Sequence, residues 1–380
     1  MEAKTKKDRR IGLCLSGGGS RAVAFHLGCL RAHHDLGYLD KVRVISSVSG
    51  GSVITGLYAY HSGDFAAFEE RTLSFLRKGI ARDALCDWIL TGRIVLNLLN
   101  VLGVLIGHGV EFAVSVLNPG RKLRNICLVR RPFSRTNSVL RVFEKRWFRG
   151  CKVSDPKRNI ETIVNACELQ TTTAFRFGSR EVRCWPYGVV KEEVPLSEAI
   201  TASAAYPALL PALDRTFSFS KHGQIQGRRV ILTDGGVYEN LGLTPLLPDR
   251  DPKFSYDSPE CDIIIACDAG TGIPRGWGHH QWLVPRLTQC FNSVMRRTQS
   301  GSFALLHEFQ KKGKLKAFIL SYLGQNDERL PSRPADFVPQ EAVVDYPTDF
   351  RAMSEDNISL LSKRGEQLTK TLISLYWPKG

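Results

Sequence analysis

VRVISSVSGGSVITGLYAY, residues 42–60, passes from a β-branched run through two glycines into an apolar helical pattern. Val42 to Val48 reads as a strand, and Ile54, Leu57 and Tyr58 recur at helical spacing behind Gly50 and Gly51. The residue at the junction is Ser49. A serine on a sharp strand-to-helix turn holds its hydroxyl exposed, and small neighbours let the backbone bend. The helix start adds free amides and a partial positive charge where an oxyanion would form. The G-x-S-x-G elbow pattern is met with one departure, Ser47 in place of its first glycine.

The same rhythm precedes this stretch. Ile11 to Leu15 is a short apolar strand, Gly17, Gly18 and Gly19 form a turn, and Val23, Leu27 and Leu30 follow at helical spacing up to Gly37. Two strand–turn–helix units in succession predict an α/β fold with a parallel, doubly wound sheet. The glycine cluster can aim successive backbone amides at one point, as an oxyanion hole requires. A tight turn packed under a helix needs the same residues. A Walker loop does not fit, because no Gly-Lys-Ser/Thr follows; the relaxed dinucleotide pattern of Gly17, Gly19 and Ala22 lacks an acid after the second strand.

Downstream, Arg229 to Thr233, Asp262 to Cys267 and Lys316 to Ser321 read as strands, as does Glu161 to Cys167; Asn357 to Tyr376 reads as a closing helix. Asp234, Gly235 and Gly236 stand directly behind the first of these. An aspartate there can take a proton from a serine hydroxyl, although an Asp-Gly pair is more often a turn.

Taken in order, Gly17 to Ala22, Ser47 to Gly51 and Asp234 to Gly236 resemble the three motifs of the patatin-like phospholipase family: a G-G-G-x-R-G oxyanion loop, a G-x-S-x-G elbow and a D-G-G/A motif. Ala22 replaces the last glycine of the first. Ala199 to Pro211 looks like the family's small-residue segment, and Pro347 to Gln367 is similar to the C-terminal part of bacterial members. The resemblance implies an α/β/α sandwich with a central, mostly parallel sheet. It also implies a lipid acyl hydrolase working on phospholipids or lysophospholipids through a Ser49–Asp234 dyad. Gly17, Gly18 and Gly19 would supply the oxyanion hole, with Gly50, Gly51, Gly235 and Gly236 in support and Arg21 bracing the loop or meeting a lipid phosphate. An aspartate of ordinary pKa, about 3.9, is a poor base for a hydroxyl, so Asp234 is expected to be desolvated and raised. The order Ser…Asp…His leaves His279, His280 and His307 as candidates for a triad, none within a recognisable motif.

Composition bounds the partners. Among 380 residues the formal charge is +15, and between Arg121 and Arg158 thirteen Lys/Arg face two acids, a local net of +11. Such a run suits an anionic membrane surface, nucleic acid, or simply solvent. No zinc-finger spacing or RNP-like motif supports nucleic acid. The ten cysteines show no CxxC pair, so neither a disulfide framework, a metal site nor a cofactor is expected, and their usage favours a reducing, cytoplasmic compartment. Met1 to Arg10 is a basic tail without the apolar core of a secretory signal.

Ile94 to Leu117 breaks the rhythm: sixteen of its 24 residues are apolar, with Asn97, Asn100, His108 and Glu111 forming a narrow polar stripe beside Gly103 and Gly107. That pattern fits a lid or an interfacial helix, and equally a buried core helix; a lipid-bathed span would leave four polar side chains needing partners. The expectation is one hydrolase domain over 11–380, interrupted at about 88–158 by an apolar and basic insertion peripheral to a membrane. The competing expectation is a non-catalytic, basic membrane-binding module with a vestigial elbow. The sequence leaves the oligomeric state open.

Overall fold

The computed structural model describes residues 10–117, 132–207, 209–272 and 282–378. Residues 1–9 of the basic tail and 121–131 of the basic run lie outside them, as do His279 and His280.

Two strand–turn–helix units open the chain: β1 (Ile11–Leu15) and α1 (Gly19–Asp35), then β2 (Val42–Val48) and α2 (Gly50–Ala59). Beside them lie β3 (Glu161–Glu168), β9 (Ile263–Asp268) and β10 (Ala317–Tyr322), and the order β10-β9-β1-β2-β3 is parallel throughout. Side chains of these strands alternate between two buried faces. Ile11, Leu13 and Leu15 join the core that includes α1 and α9 (Glu355–Tyr376). Cys14, Ile264 and Ala266 join a second core under residues 241–261 and Leu306 of α8 (Leu283–Lys311). Burial on both faces is why these strands are continuously apolar.

The expectation of a mostly parallel sheet needs correction. From β3 onward the sheet is antiparallel: β4 (Thr173–Gly178), β5 (Val182–Cys184), β6 (Gly188–Val190), β7 (Leu213–Lys221) and β8 (Gln224–Asp234) follow in order. β8 then returns to pair with β3, closing a six-stranded ring around Phe175, Phe177, Phe217 and Phe219. Short strands bearing charges, such as Val182–Cys184, carry too little period-two pattern to be read beforehand. The molecule is α/β, with one strand shared between a parallel half and a closed antiparallel half.

α1 crosses α9 at very close range, since a Cβ on Gly28 would stand 1.8 Å from the Ser362 carbonyl and one on Gly365 2.2 Å from that of Phe25. Between the two halves of the sheet the chain runs out through α3 (Phe65–Lys78), α4 (Ala81–Leu90), α5 (Arg93–Leu117) and α6 (Arg135–Val142), returning to β3. α7 (Leu196–Ser203) packs on β3 and β8.

α5 is turned opposite to a core helix. Asn97 is buried, whereas Val95, Leu98, Leu99, Leu102, Leu105 and Ile106 are exposed. Among the described residues no single helix is long and apolar enough to cross a membrane; α4 and residues 93–103 qualify only as a pair, bent by 78°. Part of the basic run is neutralised locally: Arg141 pairs with Asp87 at 2.6 Å, and Arg146 pairs with Asp83, fastening the far side of α4 to α6 and the turn after it.

Candidate active site

Ser49 caps α2 with φ 50° and ψ −117°, an unfavourable backbone conformation for a residue with a Cβ. Such strain persists only where the surroundings enforce it, and here they do. The Ser49 amide donates to Ser203 Oγ at 2.9 Å, and Ser203 in turn donates to the Asn165 carbonyl of β3 at 2.6 Å. Gly51 donates to the Ser16 carbonyl at 3.1 Å. A Cβ on Gly50 would lie 2.3 Å from the Gly19 carbonyl, so the elbow and the glycine loop meet backbone to backbone.

Asp234 ends β8 and is 4% exposed. The segment after α7 holds it: its amide donates to the Ala205 carbonyl at 3.1 Å, and Thr233 Oγ1 donates to the same oxygen at 2.8 Å. Burial raises its pKa to about 7, opposed by the Gly236 amide, which donates to Oδ1 at 2.7 Å, and by the Ser49 side chain acting as a donor. A carboxylate kept out of water and facing a hydroxyl is a usable base near neutral pH. Gly235 lies against β3, where a Cβ would meet the Asn165 carbonyl at 2.3 Å, and Gly236 stands beside the Asn240 side chain.

The glycine loop adopts the conformations its composition allows, with φ of 146° at Gly18 and 60° at Gly19. The expectation that all three amides are donors is corrected at Gly17, whose N–H is spent on the Asn240 carbonyl at 3.1 Å. Among the described residues the Gly18, Gly19 and Gly50 amides have no such partner, and they stand around Ser49 at the starts of α1 and α2. Arg21 braces the loop: Nε donates to the Ala269 carbonyl at 3.1 Å and Nη1 to that of Tyr346 at 2.7 Å. Its burial lowers the guanidinium pKa to about 10, leaving it charged near neutrality. Beneath the loop, buried Asp268 accepts from the Gly270 amide at 2.8 Å, and desolvation lifts its pKa to about 6.

Ser49, Asp234, Gly17, Gly18 and Gly19 open into one cleft of about 730 Å³. Its walls are largely apolar, with Ile80, Leu85, Trp88, Leu210, Met295 and Phe350 among them. Trp88 Nε1 donates to the Phe133 carbonyl at 2.9 Å, tying α4 to the approach to α6. No histidine lines the cleft among the described residues, and His307 packs edge-on against Phe318 of β10. No group of three or more His, Cys, Asp or Glu suited to a metal ion occurs among those residues. Ser203 and Asn240 were given no role from the sequence; only the place of Ser203 inside the small-residue segment and of Asn240 just after the DGG motif marks them there.

The "Patatin-like phospholipase" family model matches residues 13–247, more than half of the chain. No curated protein matches. Among solved structures, human GIVD cytosolic phospholipase A2 in complex with the inhibitor methyl γ-linolenyl fluorophosphonate and terbium chloride is similar, with a TM-score of 0.51 at 14% identity over 98% of this chain and 59% of that one. A second structure of human GIVD cytosolic phospholipase A2 gives 0.51 at 12% identity over 98% and 62%. At such identities the likeness is one of fold. The chain spans about 59–62% of the length of these structures.

Proposed function

The chain belongs to the patatin-like phospholipase family, and from that membership we propose that it cleaves carboxylic esters of phospholipids or lysophospholipids through an acyl-enzyme on Ser49. Asp234 takes the hydroxyl proton as Ser49 Oγ attacks the ester carbonyl. The carbonyl oxygen becomes an oxyanion facing the amides of Gly18, Gly19 and Gly50. Collapse breaks the ester C–O bond, and the leaving alcohol takes the proton back from Asp234. Water then attacks the acyl-enzyme, gives its proton to Asp234, and releases the fatty acid while Ser49 recovers its hydrogen.

The observation that carries this reading is the strained serine that opens into a largely apolar cleft beside a buried carboxylate raised to about 7. Removing one oxyanion donor costs about 10²–10³ in rate in comparable sites. The test is labelling with a fluorophosphonate and mass analysis of the peptides: an adduct on Ser49, absent from Ser49→Ala, is expected. An unlabelled native protein that still binds vesicles would leave the non-catalytic membrane module as the better account.

The segment 88–158 acts on this reading as the lid and membrane-facing part of one hydrolase domain. The outward leucines of α5, together with exposed Leu90 on α4 and Trp282 and Leu283 at the start of α8, offer apolar surface for the headgroup boundary.

A further inference from the structure

Ester cleavage by a serine and an aspartate needs an apolar channel and oxyanion donors, but no outer ring of cations. The cleft has one. Arg82 on α4, Arg135 on α6 and Arg351 in the loop before α9 all line it together with Ser49, and all three are exposed. We propose, resting on the hydrolase reading, that this ring selects lipids whose headgroup carries net negative charge over zwitterionic ones.

Three observations support this. The neighbouring basic side chains are already paired with acids of α4, Arg141 of α6 with Asp87 and Arg146 in the turn after α6 with Asp83, whereas Arg82 and Arg135 have no ion pair among the described residues. Only Arg351 is partly answered, by Asp349 at 3.5 Å. Arg82 and Arg135 also stand in the first turns of α4 and α6, where the backbone already presents a positive end. A cation is unfavourably placed there; α6 has no acid in its first turn to offset it, and the one in that of α4, Asp83, is paired with Arg146. A bound anion reverses that sign at both helices. Finally, the cleft wall is otherwise largely apolar, so acyl chains and a charged headgroup find separate, suitable surroundings in one site. The arginine forks donate to phosphate oxygens, while a choline ammonium carried on the same headgroup meets like charge.

The test uses dihexanoyl phosphatidylglycerol and dihexanoyl phosphatidylcholine below their micelle concentrations, so that no charged surface can concentrate the enzyme. The native protein is expected to favour the glycerol lipid about tenfold in kcat/KM, equivalent to about 1.4 kcal/mol. In Arg82→Gln/Arg135→Gln that ratio falls to within about threefold of unity, and Arg82→Lys/Arg135→Lys retains most of it, which separates charge from misfolding. A native ratio near one, or a ratio unchanged in the glutamine variant, overturns the proposal. Calorimetric binding of both lipids to Ser49→Ala reads the same selectivity without turnover. If no ester is cleaved, that binding ratio still decides the headgroup question, and only the hydrolase reading falls.

Discussion

At the scale of single residues, the proposed dyad ties the pH dependence of the reaction to Asp234. Its ordinary value is 3.8 and burial lifts it to about 7. A base must be ionised, so kcat/KM should fall about tenfold per pH unit below 7 and level off above it; a profile flat down to pH 5 would remove Asp234 from that role. The stability sign is the reverse of a salt-bridged acid. A folded-state pKa above the unfolded one favours folding while the group is protonated, and that contribution is lost as pH rises towards 7. Asp234→Asn should therefore lower the rate by about 10³–10⁴, by analogy with loss of an orienting aspartate elsewhere, while unfolding at a higher temperature than the native protein at pH 8. Ser203→Ala leaves the Ser49 amide without its buried acceptor, a cost of about 1–3 kcal/mol in unfolding free energy, together with a lower kcat. The turns that carry Ser49 and Asp234 were legible because they demand small residues at fixed offsets. The spent Gly17 amide was not, because its acceptor at Asn240 lies far along the chain and no local pattern announces it.

Among the elements, α5 is the one whose periodicity was visible and whose orientation was not. Apolar spacing identifies a helix but cannot say which stripe faces inward. The structure puts Asn97 in and the leucines out. The Leu98→Glu/Leu102→Glu/Leu105→Glu variant should accordingly lose most activity on anionic vesicles and keep most of it on a soluble short-chain ester. Equal losses on both substrates would make α5 a structural helix. The early strands β1 and β2 were legible from their buried runs, apolar in β1 and rich in β-branched residues in β2. β5 and β6 were not, since three-residue strands such as Val182–Cys184 are stabilised by neighbours rather than by their own pattern.

For the molecule as a whole, the crossing of α1 and α9 ties the first motif to the C-terminal helix. Gly28→Val would press a branched side chain against the Ser362 backbone and force the pair apart, with a loss of stability of several kcal/mol; a thermal midpoint within a degree of the native value would show that the crossing can give way. That long-range contact was invisible in the sequence, where both glycines sit unremarked in helical patterns. The shared strand β3 has a further consequence. Val48, just before Ser49, is paired with Asn165, and Asp234 is paired with the next residue, Ala166, along the same edge, the other edge being taken by β4. One strand is thus the ruler against which Ser49 and Asp234 are set, at adjacent graduations. A two-residue slip of β8 along it would carry the carboxylate away by roughly 6–7 Å. Lids, loops and even the outer strands can be exchanged around that ruler while the spacing of acid and alcohol stays as it is.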